Sequence, residues 1–170
     1  AVREKYQKKF EYILVDEYQD VNPVQYRLIQ LLAGAHQRLT VVGDDHQMIY
    51  GWRYASLEIF LNFEEEWPEA QIMLLEENYR STKTIIEAAS ALISHNVKQR
   101  RKNLWTQNPQ GEPIRIQETR GENEEAEWIA EEIESARQNG TDETIAVLYR
   151  TNAQSRPLEA KQKKAFWDQK

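Results

Sequence analysis

Three short apolar runs each end in residues that could handle a phosphate. Asp16-Glu17 follows Tyr12-Ile13-Leu14-Val15, Gly43-Asp44-Asp45 follows Leu39-Thr40-Val41-Val42, and Glu77-Asn78-Tyr79-Arg80 follows Ile72-Met73-Leu74-Leu75. Carboxylate oxygens are hard donors suited to Mg²⁺, which keeps waters and takes substrate phosphates as further ligands. A second carboxylate beside such an ion can orient or deprotonate an attacking water. Arg80 supplies a planar, permanently charged fork for phosphate oxygens, and Tyr79 a face on which a base could stack. Each group alone also fits a helix cap, a turn or a surface ion pair. Their recurrence at successive strand ends points to one crevice, because open α/β sheets bind ligands beyond the carboxyl ends of their strands.

A second constellation is Tyr50-Gly51-Trp52-Arg53-Tyr54. Aromatics interleaved with arginine form a platform for unpaired bases, worth about 1–3 kcal/mol per stacked base. The competing reading is an aromatic cluster buried under a loop. The preceding Gly43-Asp44-Asp45-His46-Gln47 has no apolar period, which favours a functional loop joining a phosphate-side strand end to a stacking surface.

The elements that must position these groups alternate between short apolar runs and helical periods, the pattern of an α/β fold with a parallel sheet. Strands are expected at 12–15, 39–42 and 72–75, then at 113–118 and 144–149. Asn22 caps a helix opened by Pro23 and stopped by Gly34, with Val24, Leu28, Leu31 and Leu32 on one face. Ser56 opens a helical segment from Leu57 to Trp67 that Pro68 ends. Ser81 caps a helix from Thr82 to Asn96 bearing Ile85, Ile86, Ala89, Leu92 and Ile93, and a glutamate-rich helix runs from Glu122 to Asn139, closed by Gly140. Between them, Lys98 to Lys102 reads as a short basic connector, either solvated or touching a phosphate backbone. Residues 161–170 are polar and weakly specified.

Composition narrows the class. The 170 residues are 40% apolar and 29% charged, a soluble globular balance. With 28 acidic and 22 basic residues the formal charge is −6, so any nucleic-acid contact is local. The absence of cysteine excludes disulfides, thiolate zinc sites and a cysteine nucleophile. No run approaches the roughly 18 apolar residues of a membrane span, and a cytoplasmic, membrane-free setting is expected.

Asp16-Glu17-Tyr18-Gln19-Asp20, then Val41-Val42-Gly43-Asp44-Asp45-His46-Gln47-Met48-Ile49-Tyr50-Gly51-Trp52-Arg53, then Leu75-Glu76-Glu77-Asn78-Tyr79-Arg80-Ser81 resemble, in order and spacing, motifs II, III and IV of UvrD/Rep/PcrA-type superfamily 1 DNA helicases. Leu148 to Arg156 resembles a later segment of that family, and the likeness runs from about Tyr6 to Glu159. The resemblance implies an ATP-driven 3′-to-5′ translocase on single-stranded DNA. Its fold is the RecA-like (P-loop NTPase type) parallel sheet with flanking helices, incomplete here and running into part of a second RecA-like domain. Residues 1–75 would be the C-terminal part of the first motor domain, 76–160 the N-terminal part of the second, and 161–170 a divergent tail. Asp16 would be the Mg²⁺ ligand, with Glu17 beside it as activator of the attacking water. Gln47 would sense the terminal phosphate, Tyr79 stack on adenine and Arg80 serve as an arginine finger. Tyr50, Trp52 and Arg53 would meet the single strand, joined by Arg150 and Asn152. Implied partners are ATP, single-stranded DNA and its junctions with duplex, the remainder of the helicase chain, and repair or replication proteins.

Departures from the family pattern are His46 for the usual aspartate, Met48 for serine and Tyr54 for glycine. No glycine is followed by lysine, so the 170 residues hold no G-x-x-x-x-G-K phosphate loop; the family's motifs V and VI are also missing. The chain alone is therefore expected not to hydrolyse ATP, and to expose sheet edges that leave it marginally stable or self-associating. Two other readings remain open on the residues: a non-catalytic single-strand-DNA or partner-binding module that keeps the fold, and a metal-dependent phosphoesterase using Asp16, Glu17 and Asp44.

Overall fold

A computed structural model describes residues 2–138, 140 and 144–167, with side chains to residue 161. The chain forms two compact units, one through Ile114 and one from Arg115 onward.

The first unit opens with α1 (Val2–Lys9), followed by β1 (Ile13–Val15), α2 (Pro23–Ala33) and β2 (Leu39–Val41). The two strands pair in parallel, Ile13 with Leu39, Leu14 with Thr40 and Val15 with Val41. Parallel neighbours need a crossover, and α2 supplies it. Its start is specified locally: the Asn22 side chain accepts the amides of Val24 and Gln25 at 3.0 and 2.9 Å, and Gln25 returns the bond to the Asn22 amide at 3.0 Å. Gly34 ends the helix, as expected.

The buried face of α2 only partly coincides with the expected one, whose Leu31 and Leu32 are half-buried. Ile29 and Ala33 are buried, with Ile29 joining Tyr18 and Val21 in the core, whereas Val24 and Leu28 are exposed. Packing of Ile29 with Tyr18 and Val21 sets the buried face, a tertiary contact that helical periodicity does not supply. Val15, Tyr26, Leu39, Val41, Ile59, Phe60 and Phe63 complete this core. Phe60 and Phe63 lie 6.0 and 5.5 Å from the Tyr18 ring, the second edge-on.

The helix expected over 57–67 is two short pieces, α3 (Leu57–Leu61) and α4 (Phe63–Glu66), broken at Asn62. The next, α5 (Lys83–Ile93), has Thr82 rather than Ser81 at its N-cap and buries Ile86 while Ile85 and Leu92 stay exposed. The runs at 72–75, 113–118 and 144–149 are not strands. A strand exists through its ladder, and among the described residues none of these runs has a partner segment. Among the described residues, Glu77 and Trp105 form an isolated bridge. Apolar surface is correspondingly open: Leu14 is 75% and Leu75 78% exposed.

The second unit consists of α6 (Glu122–Gln138), a 3₁₀ turn at Asn152–Gln154 and α7 (Ser155–Trp167). Asn139, expected in α6, lies outside the described residues; Gly140 follows at φ +82°, the left-handed backbone that glycine adopts without strain. Arg115 holds Glu132 with two nitrogens at 3.1 and 3.3 Å, and Lys161 pairs with Glu127 at 2.7 Å. The helix α7 and the N-terminal α1 were not anticipated. For α7 the reason is plain: a charge-rich stretch looks weakly specified, yet Leu, Glu, Ala, Lys and Gln are strong helix formers, and Pro157 sits in the tolerated first turn.

Candidate functional site

Asp16 and Glu17 leave the end of β1 exposed. Glu17 sits in the left-handed region at φ 49°, ψ 45°, which costs a non-glycine residue on the order of 1–2 kcal/mol. Asp16 Oδ1 accepts the Glu17 amide at 2.9 Å and steadies this bend. The strained turn lets Tyr18 and Gln19 plunge into the core, both about 1% exposed.

Gln19, which is not among the expected site residues, organises the site. Its Nε2 donates to Glu17 Oε2 at 2.7 Å and its Oε1 accepts the Asp44 amide at 2.9 Å. One buried amide thus fixes the carboxylate beyond β1 and the loop beyond β2. Gly43 makes the approach feasible: a Cβ there would lie 2.6 Å from Gln19 Oε1 and 2.8 Å from the Phe60 ring.

Beyond β2, Asp44 caps a 3₁₀ turn over Asp45–Gln47, accepting the His46 amide at 3.0 Å. Its other oxygen accepts Gln47 Nε2 at 2.8 Å, so Gln47, itself exposed, is held by Asp44. Lys102 Nζ binds Asp44 Oδ1 and, at 3.2 Å, Asp45 Oδ1. Burial pushes the Asp44 carboxyl upward, but the bonds from Lys102, Gln47 and the His46 amide, with the Lys102 charge, outweigh it and hold the group below the ordinary carboxylate value. Donor atoms of Asp44, Asp45 and His46 lie within 4.8 Å of one another. With an ammonium already inside this cluster, Asp44 is a poor metal ligand, which weighs against the phosphoesterase reading. His46 instead bonds Gln99 Oε1 at 2.8 Å through Nε2.

Trp52 is 70% exposed, and Tyr50, Arg53 and Tyr54 are exposed beside it. The Arg53 guanidinium lies over the Trp52 ring at 4.5 Å and the Tyr50 ring at 5.2 Å, a preformed cation–π cluster. Tyr54, where glycine is usual in the resembled family, takes the left-handed backbone at φ 64°.

Tyr79 and Arg80 are exposed on a turn held by Asn78, whose Oδ1 accepts the amides of Arg80 and Ser81 at 3.0 and 2.8 Å. The Tyr79 hydroxyl donates to Glu77 at 2.7 Å, and this bond to a carboxylate raises its pKa. Arg150 and Asn152, both exposed, belong to the second unit, where Asn152 opens the 3₁₀ turn. Within the first unit the structure thus links Glu17 to Gln47 through Gln19 and Asp44.

Residues 1–68 match the UvrD/REP helicase N-terminal domain, and residues 73–166 match the UvrD-like helicase C-terminal domain. The chain belongs to the UvrD-like helicase family. It is 52% identical over 159 residues to the ATP-dependent DNA helicase PcrA of Staphylococcus aureus (strain Mu50), covering 93% of this chain and 22% of that protein. Identity to the protein of the same name from Staphylococcus epidermidis (strain ATCC 12228) is 51% over 157 residues, 92% of this chain and 22% of the relative. The chain therefore spans about a fifth of the length of the curated relatives it matches.

Proposed function

We propose that this chain is the central portion of an ATP-dependent DNA helicase that translocates 3′ to 5′ on single-stranded DNA. In this reading residues 1–75 close a first RecA-like motor domain and 76–160 begin a second, a division supported by family matches that meet between 68 and 73. The observation that carries the reading is the buried Gln19, which ties the Glu17 carboxylate to the Asp44 loop. A carboxylate held at a strained strand end and wired to a polar sensor is what activation of a water beside a phosphate requires.

Asp16 and Glu17 suit Mg²⁺ by donor chemistry; Asp16 accepts the Glu17 amide through Oδ1, and Glu17 accepts Gln19 Nε2 through Oε2. Mg²⁺ bound there would supply charge neutralisation on the phosphate oxygens. Glu17 orients the attacking water and takes its proton, Gln47 contacts the terminal phosphate, Tyr79 stacks on adenine, and Arg80 meets the charge that develops on the transferred group. Tyr50, Trp52 and Arg53 bind unpaired bases, and Arg150 and Asn152 are proposed as further contacts to the strand. DNA junctions, repair or replication proteins as partners and a cytoplasmic setting follow from this reading. Among the described residues no helix is long and apolar enough to cross a membrane.

The test is DNA-stimulated ATP hydrolysis by the full-length protein. Glu17→Gln should lower kcat by about 10²–10⁴ while DNA and nucleotide affinity stay near the parent's. A Glu17→Gln enzyme that kept half its turnover would remove the assignment; a full-length protein that bound DNA but never hydrolysed ATP would favour the non-catalytic module.

A further inference from the structure

We infer that Lys102 is a positioning residue that couples the Gln47 loop to the turn carrying Tyr79 and Arg80. The inference rests on the nucleotide-facing roles proposed above for those three residues.

Lys102 lies in the connector that reads from sequence as a basic loop, solvated or touching a phosphate backbone, yet its side chain is 12% exposed, and that of its partner Asp45 3%. Desolvated charges persist only when paired and hydrogen-bonded, and here each is. The ammonium binds Asp44 and Asp45, and the second Asp45 oxygen accepts the Arg100 amide at 2.7 Å. Asp44 in turn holds Gln47. On its other side the connector is fastened to the segment that follows the 72–75 run. The Asn103 amide donates to Glu76 Oε1 at 2.6 Å, the Trp105 amide to the Glu76 carbonyl at 3.0 Å, and the Asn78 amide to the Trp105 carbonyl at 2.7 Å. Asn78 then holds the Arg80 amide.

An unbroken path therefore runs from Gln47 through Asp44 and Lys102, along the backbone to Trp105, and through Asn78 to Arg80. Gln99 adds a strap, bonding His46 while donating to the Asn96 carbonyl at 2.6 Å. The path joins a segment within the N-terminal family match to one within the C-terminal match. A movement of Gln47 on a terminal phosphate reaches Arg80 through Lys102, and Lys102 touches neither nucleotide nor DNA to do so. Contiguity is the physical condition for such coupling, and its energy has to be measured by paired substitutions.

The experiment uses the full-length protein with Lys102→Met, Lys102→Arg, Gln47→Ala and the Lys102→Met/Gln47→Ala pair. Lys102→Met should lower DNA-stimulated kcat roughly tenfold, with the KM for ATP within about twofold of the parent. Added to Gln47→Ala, it should cost less than about a further twofold, because the path is already cut. Lys102→Arg should recover at least half of the loss. Hydrogen exchange gives a readout independent of turnover: the amides of Gln47, Asn78 and Arg80 should exchange roughly tenfold faster in Lys102→Met, while the α2 amides keep their rate. Asp44→Asn cuts the same link and should reproduce this exchange pattern if Lys102→Met does not fold. Equal kcat losses with and without Gln47, or equal acceleration across α2, would mean that Lys102 merely supports the fold, and would overturn the inference. If the parent hydrolyses no ATP, the proposed function falls, and the exchange pattern decides the coupling by itself.

Discussion

Gln19 grips the Glu17 carboxylate at 2.7 Å from a position that is itself buried. The same amide accepts the Asp44 N–H, so the carboxylate proposed to activate water and the loop proposed to sense the phosphate share one support. Glu17 would otherwise be a long, exposed side chain with several rotamers, and pre-organisation by a buried partner is what a general base needs to stay aimed.

This support can be removed in two ways. Gln19→Ala leaves the Asp44 amide without its partner and frees Glu17, and should cost about 1–3 kcal/mol of stability. Gly43→Ala drives a methyl group into Gln19 and Phe60 and should cost a similar 1–3 kcal/mol through overpacking. Urea denaturation checks both values. ATP turnover in the full-length protein should fall in each variant without reaching the level of Glu17→Gln.

The stacking platform makes a separable prediction. Trp52→Ala should weaken single-stranded DNA binding by about 1–3 kcal/mol, the value of one stacked base. Nucleotide binding should stay near the parent's, because Trp52 takes no part in the Gln19–Asp44–Gln47 network. Fluorescence-anisotropy titration at two salt concentrations decides it, and an unchanged DNA affinity would remove Trp52 from the interface.

What the sequence revealed and what it hid divide along the distance over which each feature is specified. The α2 start was legible because Asn22, Pro23 and Gln25 satisfy the helix end among themselves. A role for Gln47 came only from the family resemblance, whereas Asp16, Glu17 and Asp44 were legible as groups at strand ends. Gln19 was not, because its role depends on Tyr18 entering the core and on Gly43 passing close above it. Lys102 was hidden for the same reason: its partner Asp44 is 58 residues away, and a basic connector gives no local sign of burial. The runs at 72–75 and 144–149 carry strand-like apolar residues, but strand formation is decided by a neighbour, which local pattern does not supply.

Tyr54 offers a test of stored backbone strain. It holds φ 64° while 81% exposed, so little packing compensates the left-handed backbone. Tyr54→Gly removes a cost of about 1–2 kcal/mol and adds about 0.5–1 kcal/mol of unfolded-state entropy. The expected result is a small net gain in stability on urea denaturation. Tyr54→Ala, which keeps the Cβ and the strain, should show no such gain.

Two carboxylates give opposite pH signatures. At Asp44 the bonds from Lys102, Gln47 and His46 overcome burial and lower the folded pKa below the ordinary 3.8. Its contribution is therefore complete above 3.8 and is lost as pH falls through the lower folded value. At Asp20, burial first and the Glu17 charge second raise the pKa, and Oδ1 is buried without a partner. A carboxyl raised in this way is favourable when protonated, so its contribution is present below 3.8 and lost as pH rises through the folded value. Urea stability measured against pH should show both arms. Asp44→Asn should flatten the one below 3.8, and Asp20→Asn the one above it, leaving that variant more stable than the parent at neutral pH. An Asp20→Asn protein that lost stability at pH 7 would show that the Asp20 charge is compensated in the folded chain, against the buried, unpartnered oxygen seen here.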